Sequence, residues 1–288
     1  MKFVINIGSA SGLGNRLHIL ISSMRLAHDH YNMDYIVDWH TKKYKFDEIF
    51  DPSDLLVNNI NYKIDKPISH DITSNSEFYM PNNNVMNRSK QIVHKSQIVN
   101  GYNIGFPILE SELHMLYGIC NYKGSRSTLS YVYNKTPEYF KNIYLPYFQK
   151  IKPSPNVNKL ICDFITHNFG MRTIGLHVRL GDKATKHEKR EKIIGKYIKF
   201  VDNEILINNV SRFFISCDED SIEIYFKCRY GDKIIHYPHT YDTDQSDDIT
   251  SAVCMYLLAK CNVLVCMGGS TFSEIAWWLG GCKDIILL

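Results

Sequence analysis

Thr173-Ile174-Gly175-Leu176-His177-Val178-Arg179-Leu180-Gly181-Asp182-Lys183 carries the clearest architectural signal in the chain. An apolar strand ends here in a polar cluster, and in an open α/β sheet ligands bind at the carboxyl ends of strands. Strand alternation places His177 and Arg179 on one face and Val178 and Leu180 on the other. Arg179 offers a rigid fork of donors that suits phosphate oxygens. Asp182 is placed to accept backbone N–H groups and so orient the loop.

The surroundings of this segment alternate regularly. A helix is expected over 156–169, ending at Gly170 as the glycine that follows a helix C-terminus. Strands are expected at Thr173–Val178, Arg212–Ser216, Lys233–His236, Val263–Cys266 and Asp284–Leu288. Helices fill the gaps at 188–207, 220–229, 248–260 and 271–279. Strands alternating with helices predict a parallel sheet covered on both faces, a Rossmann-like domain.

Upstream, Lys152-Pro153-Ser154-Pro155 reads as a linker. Before it the pattern loosens. Phe3–Ile7 is a short strand, Gly8–Gly14 a glycine loop, and from Asn15 the apolar positions Leu17, Leu20, Ile21, Met24 and Ala27 recur at helical spacing. Asp34–Trp39 reads as the next strand. Residues 50–105 are rich in Asn, Ser and Lys and predict loops, with helices around Ser111–Tyr117 and Tyr139–Phe148. A chain of 288 residues favours two domains over one. The expected fold class is therefore α/β with two Rossmann-like domains, 1–152 and 153–288.

Composition removes several function classes. Hydrophobic residues make up 44% and charged residues 22%, the balance of a folded globular protein. A formal charge of +3 does not describe a nucleic-acid-binding surface, so no nucleic-acid partner is expected. No window reaches the roughly eighteen apolar residues of a membrane span, and Met1-Lys2-Phe3 runs into a strand rather than a signal peptide. A cytoplasmic protein is the expectation. None of the eight cysteines forms a C-x-x-C pair, and they read as reduced core residues.

Three other clusters invite a chemical reading. Gly8, Gly12 and Gly14 lie between a strand and a helix, where backbone N–H groups can hold an anion. The loop is not a P-loop, and Leu17 occupies the third glycine position of a dinucleotide fingerprint. Arg16 in the first helical turn opposes the helix dipole unless a negative group compensates. Gly268-Gly269 permits a tight turn before Ser270 and Thr271, which sit where a helix begins and can turn N–H groups toward a phosphate. Asp218-Glu219-Asp220 and Asp242-Thr243-Asp244 both spell D-x-D, a tripeptide compatible with a hard cation or with a solvated turn. Trp277 and Trp278 read as helix–sheet packing.

His177-Val178-Arg179-Leu180-Gly181-Asp182-Lys183 resembles the first motif of the α1,2-, α1,6- and protein-O-fucosyltransferase superfamily. Ser11-Gly12-Leu13-Gly14-Asn15-Arg16-Leu17 is similar to the N-terminal signature of those proteins. Tyr256–Cys261, leading into Gly269-Ser270-Thr271-Phe272-Ser273 and Trp277–Gly280, resembles their third motif. Phe214–Asp220 is the best candidate for the second. The resemblance implies a GT-B-like fold with the donor site in the C-terminal domain and the acceptor cleft between the halves, the N-terminal domain being the acceptor side. The implied partners are GDP-fucose and a carbohydrate acceptor.

The resemblance also implies roles. Arg179 contacts the donor pyrophosphate. Gly12, Gly14, Asn15, Arg16, His177, Asp182, Lys183, Asp218, Asp248, Ser270, Thr271, Phe272 and Ser273 complete the expected donor set. Relatives carry an acidic residue for the guanine base where this chain has Cys254, and Asp247 or Asp248 is the expected substitute. Inversion requires a base, and His187 or Glu188 falls at that position. Because Arg179 and the Ser270 turn already answer the diphosphate charge, the implied chemistry needs no metal and no cofactor. A transferase using another nucleotide sugar, or a silent nucleotide-sugar-binding or glycan-binding module, is the alternative reading.

Overall fold

Lys2–Ile7 forms the first strand, β1, and Leu13–Arg25 the first helix, α1. The structure, a computed structural model, describes residues 2–7, 12–25, 27–28, 32, 34–41, 43–61, 136, 138–181, 187–238, 248–268 and 270–288. Leu17, Leu20, Ile21, Met24 and Ala27 are buried, so the helical spacing seen in the sequence marks a true core face. Next come β2 (Asp34–Thr41), the one-turn α2 (Phe46–Ile49), β3 (Phe50–Asp51) and β4 (Val57–Asn61). β1, β2 and β4 make a parallel three-stranded sheet in that order, with Ile5 opposite Val37 and Val37 opposite Val57.

Strands β3 and β4 correct the expectation of irregular structure from residue 50 onward. Asparagine is depleted in strands because its side chain competes for backbone hydrogen bonds. In β4 that competition is absorbed by other side chains. Asn58 Nδ2 donates to Asp38 Oδ1 at 3.1 Å, and Asn59 both accepts the Phe46 N–H at 2.7 Å and donates to Asp47 at 2.9 Å. The expected helix around 111–117 lies outside the described residues.

The chain resumes in α3 (Glu138–Gln149), β5 (Lys152–Pro153) and α4 (Pro155–Asn168). Arg25 on α1 donates to the Tyr144 hydroxyl on α3 at 2.8 Å. The stretch read as a linker is ordered. Phe50 pairs with Pro153 in the antiparallel β3–β5 ladder. Ser154, 2% exposed, donates to the Glu48 carbonyl at 2.9 Å and accepts the Val157 N–H at 3.3 Å. It thereby caps α4, whose first residue is the proline that a helix start tolerates. Two compact units, Met1–Val157 and Asn158–Leu288, divide within that first turn.

The second unit contains β6 (Thr173–Val178), α5 (His187–Ile207), β7 (Arg212–Cys217), α6 (Asp220–Tyr230), a 3₁₀ turn (Gly231–Lys233) and β8 (Ile234–His236). It continues with α7 (Asp248–Lys260), β9 (Val263–Cys266), α8 (Thr271–Leu279) and β10 (Ile285–Leu287). All five strands are parallel in the order β10-β9-β6-β7-β8. Every residue of β6 is buried, as a strand covered on both faces must be.

Leu176, Val178 and Leu180 pack with Ile193, Tyr197 and Val201 of α5 and Ile222 and Phe226 of α6. The opposite face receives α7 so closely that a Cβ on Gly175 would meet Leu258 at 3.0 Å and Cys261 at 3.1 Å. Gly170 departs from expectation. Its φ is not positive, and its N–H donates to Thr173 Oγ1 at 3.1 Å, so a threonine hydroxyl rather than a left-handed glycine shapes the exit of α4.

Candidate active site

Strand order in the second unit runs outward from β6 in both directions, so the reversal falls between β6 and β9. In such sheets the crevice outside the carboxyl ends at that point takes the ligand. A cleft of about 160 Å³ lies there, lined by His177, Arg179, Lys189, Ile193, Met267, Gly268 and Ser270. That volume is below the ~300–1,000 Å³ of a whole small-molecule site.

Each lining residue arrives by a short route from the sheet. His177, the penultimate residue of β6, lies opposite Ser216 and Cys266, both small. Its carbonyl accepts the Tyr197 hydroxyl at 2.6 Å, and its ring stacks on Phe272 with centroids 5.2 Å apart. Burial, and then the adjacent Arg179 cation, hold the imidazole pKa down at about 3. A ring so strongly biased to its neutral form offers a hydrogen bond and serves poorly as a base at neutral pH.

The loop after Arg179 is fixed by Asp218. Its two carboxylate oxygens accept the N–H groups of Leu180 and Gly181, each at 3.0 Å. A Cβ at Gly181 would meet Asp218 Oδ2 at 2.9 Å, which explains the glycine. The sequence assigned this loop-holding role to Asp182, which with Lys183 lies outside the described residues. Glu219, next in the chain, pairs with Arg190 of α5 through two hydrogen bonds, one of them 2.7 Å long. The guanidinium holds the Glu219 carboxyl below its usual range. Asp220 opens α6, where a negative charge suits the dipole.

The D-x-D reading of residues 218–220 therefore gives way to three structural tasks. The other D-x-D, Asp242–Asp244, lies outside the described residues. Among the described residues no group of three or more His, Cys, Asp or Glu side chains converges as a metal site.

On the β9 side, Ser270 is the N-cap residue of α8 in extended conformation and makes no side-chain cap. Ser273, fully buried, donates to the Ser270 carbonyl at 3.1 Å, so it shapes the turn and does not line the cleft. Thr271 follows Ser270 at the start of α8, while Phe272 supports His177. Trp277 and Trp278 are buried, and Trp277 Nε1 donates to the Lys283 carbonyl at 2.8 Å.

Other expected site residues stand elsewhere. His187 and Glu188 open α5; Glu188 is exposed and is not a lining residue. The next residue, Lys189, does line the cleft and was missed. The available signal was its four-residue spacing from Ile193, which places both on one helix face. Asp248 opens α7, and Asp247 lies outside the described residues.

In the first unit, Gly12 accepts the N–H groups of Asn15 and Arg16, and Gly14 is buried. Arg16, where the sequence suggested a compensating anion, packs against protein groups in the structure. Its guanidinium lies 3.5 Å from the centroid of the Trp39 ring, and Nη2 donates to the His40 carbonyl at 3.0 Å.

A doubly wound α/β unit with cationic side chains at the reversal of its strand order belongs to the class of open α/β folds whose ligand crevice lies at that reversal. Within that class the whole chain matches solved fucosyltransferases. NodZ α-1,6-fucosyltransferase soaked with GDP-fucose aligns with a TM-score of 0.56 at 15% identity, over 97% of this chain and 93% of that one. NodZ from Bradyrhizobium gives 0.55, also at 15% identity, over 96% and 92%. A mutant of Arabidopsis thaliana FUT1 in complex with GDP gives 0.55 at 16% identity, over 99% of this chain and 70% of that one. POFUT1 in complex with GDP gives 0.52 at 10% identity, over 99% and 97%.

No protein-family model and no curated protein matches the sequence. The superfamily that the sequence motifs resemble is thus also the one whose fold this chain shares. No helix of the described residues is long and apolar enough to cross a membrane.

Proposed function

We propose that this chain transfers L-fucose from GDP-fucose to a carbohydrate hydroxyl, with inversion and without a metal. The observation that carries the reading is the cleft between the ends of β6 and β9, where Arg179, Lys189, His177 and Ser270 meet. Two cationic side chains, a neutral imidazole and a helix start form a set suited to a diphosphate. The fold shared with proteins solved with GDP and GDP-fucose supports the same assignment. In this reading the donor lies on the second unit alone, and Asp218, Ser273 and Phe272 act by holding the residues that touch it.

As the sugar leaves, charge grows on the diphosphate, and Arg179 and Lys189 stabilise it more in the transition state than in the ground state. His177 donates a hydrogen bond and does not change protonation. The acceptor proton goes to Glu188 or His187, the two residues that precede the cleft-lining Lys189 on α5.

GDP release from GDP-fucose, screened across glycan acceptors, tests the reading. Turnover with at least one acceptor, unchanged in EDTA, is the expected result. Loss of turnover in chelator that Mn²⁺ restores reverses the metal-free part. A chain that neither binds GDP-fucose nor releases GDP refutes the whole.

A further inference from the structure

The outer face of α5 carries a charge pattern that the cleft uses only at its first turn. Lys189, Lys192, Lys196 and Lys199 follow one another three, four and three residues apart, so they share one face of the helix, and all four are exposed. Asn203, Leu206 and Ile207 continue that face within an arc of about 100°. Glu188 stands at the edge of the arc, while Glu191 and Asp202 fall outside it. Among the described residues no carboxylate pairs with any of the four lysines. The helical rise sets Lys189 and Ile207 roughly 27 Å apart.

The far end of this stripe is apolar. Leu206 and Ile207 are each 83% exposed, and Val210, just beyond α5, is 67% exposed. Met171, 95% exposed, lies at the same end of the sheet. It is brought there by Arg172, whose carbonyl accepts the Arg212 N–H at 3.0 Å and whose Nε donates to Glu204 at 3.0 Å. Further cations flank the tip. Arg212 Nη1 donates to the Asn168 carbonyl at 2.7 Å, and Lys233 Nζ donates to the Asn209 carbonyl. Single apolar residues on a surface are ordinary, but several large ones set among cations mark an interaction site.

A second copy of the chain does not suit this patch. A two-fold contact sets the patch on itself and would bring cation against cation. Nucleic acid bound without sequence preference calls for aromatic stacking platforms, and the tip is aliphatic. An anionic bilayer suits both parts, because its phosphates face the lysines and its fluid acyl chains accept aliphatic side chains of any shape. We propose that α5 lies along an anionic lipid surface, with Lys192, Lys196 and Lys199 at the headgroups and Met171, Leu206, Ile207 and Val210 entering the acyl boundary. The helix rests on the membrane and does not span it. Such docking is independent of the chemistry in the cleft, although Lys189 carries the stripe to the cleft wall.

Co-sedimentation of the full chain with vesicles of phosphatidylcholine, alone or with a quarter of phosphatidylglycerol, tests this. Wild type is expected to bind the anionic vesicles at least about tenfold more tightly than the neutral ones, and to come off as salt rises from about 0.1 to 0.5 M. Lys192→Gln, Lys196→Gln and Lys199→Gln together should weaken binding about a hundredfold. Leu206→Ser with Ile207→Ser should weaken it about tenfold or more. Both variants should release GDP with a soluble acceptor as wild type does. Wild type that ignores anionic vesicles overturns the inference, as does either variant binding them undiminished. A wild-type dimer in light scattering that Leu206→Ser with Ile207→Ser dissociates also overturns it, and gives the patch to a second copy. Should either variant lose its fold, the lipid and salt dependence of wild type decides alone. None of these failures touches the fucosyltransferase reading, which GDP release tests separately.

Discussion

Arg16 and Arg179 stand in comparable places. Each follows the first strand of its compact unit, and each has glycines close by in the chain. Their fates differ because the neighbouring strands differ. In the first unit the end of β2 carries Trp39 and His40 just before its final Thr41, and Arg16, 2% exposed, lies across that indole and donates to the His40 carbonyl. In the second unit the strands beside β6 end in Ser216, Cys217 and Cys266, which leave space above the sheet. Arg179 lines that space. A bulky aromatic on a neighbouring strand gives one arginine a surface to lie across, and the other lines a cleft.

The contrast breaks most readily at Arg179. Arg179→Ala is expected to lower kcat/KM on the order of a thousandfold, equivalent to ~4 kcal/mol of transition-state stabilisation, with the melting temperature nearly unchanged. Arg179→Lys keeps the charge, loses the fork, and should fall by more than about tenfold. If the lysine variant stays folded and retains over a tenth of wild-type kcat/KM, Arg179 is no donor contact.

Arg16→Ala should show the reverse pattern. Losing a desolvated cation–π contact and a charge-assisted hydrogen bond costs ~3 kcal/mol of stability, or roughly 5–10 °C in Tm. Turnover per folded molecule should fall far less than at Arg179. A thousandfold loss in a well-folded Arg16→Ala protein would mean that both arginines serve the donor.

The gentlest effect, read per pH unit, is a stability slope that His177 carries in the second unit. The unfolded His177 imidazole takes up a proton below about 6.5, while the folded one resists until about 3. The unfolded state therefore binds more protons within that window, and stability falls with falling pH by up to ~1.4 kcal/mol per pH unit. His177→Asn should flatten the slope. Trp39 lies in the first unit and Trp277 and Trp278 in the second, so denaturation followed by fluorescence in a Trp39→Phe background isolates the second unit. An unchanged slope in His177→Asn would assign the acid sensitivity to another group.

The second unit was more legible in sequence than the first for the same reasons of packing. Strands buried on both faces read as unbroken apolar runs, and β6, β7 and β9 fall within a residue of where the sequence put them. His177, Arg179 and Ser270 were visible because motif residues at strand ends must face the crevice. Lys189 and Met267 were not, since their place depends on how α5 and the β9 exit pack. The task of Asp218 was hidden too, because it joins a carboxylate to backbone amides 38 and 37 positions away. In the first unit the asparagine-rich β4 and the Trp39 shelf for Arg16 both rest on tertiary contacts that no local pattern records.

The Asp218 bridge also bears on how quickly the cleft can be filled. Fixing a residue's backbone costs ~1–2 kcal/mol in lost conformational entropy. Leu180 and Gly181 meet that cost when the chain folds, because the bridge is made by the chain's own Asp218. Leu180 and Gly181 then need no further ordering on encounter. Association at this end of the ligand should proceed in a single phase, set by diffusion and orientation alone.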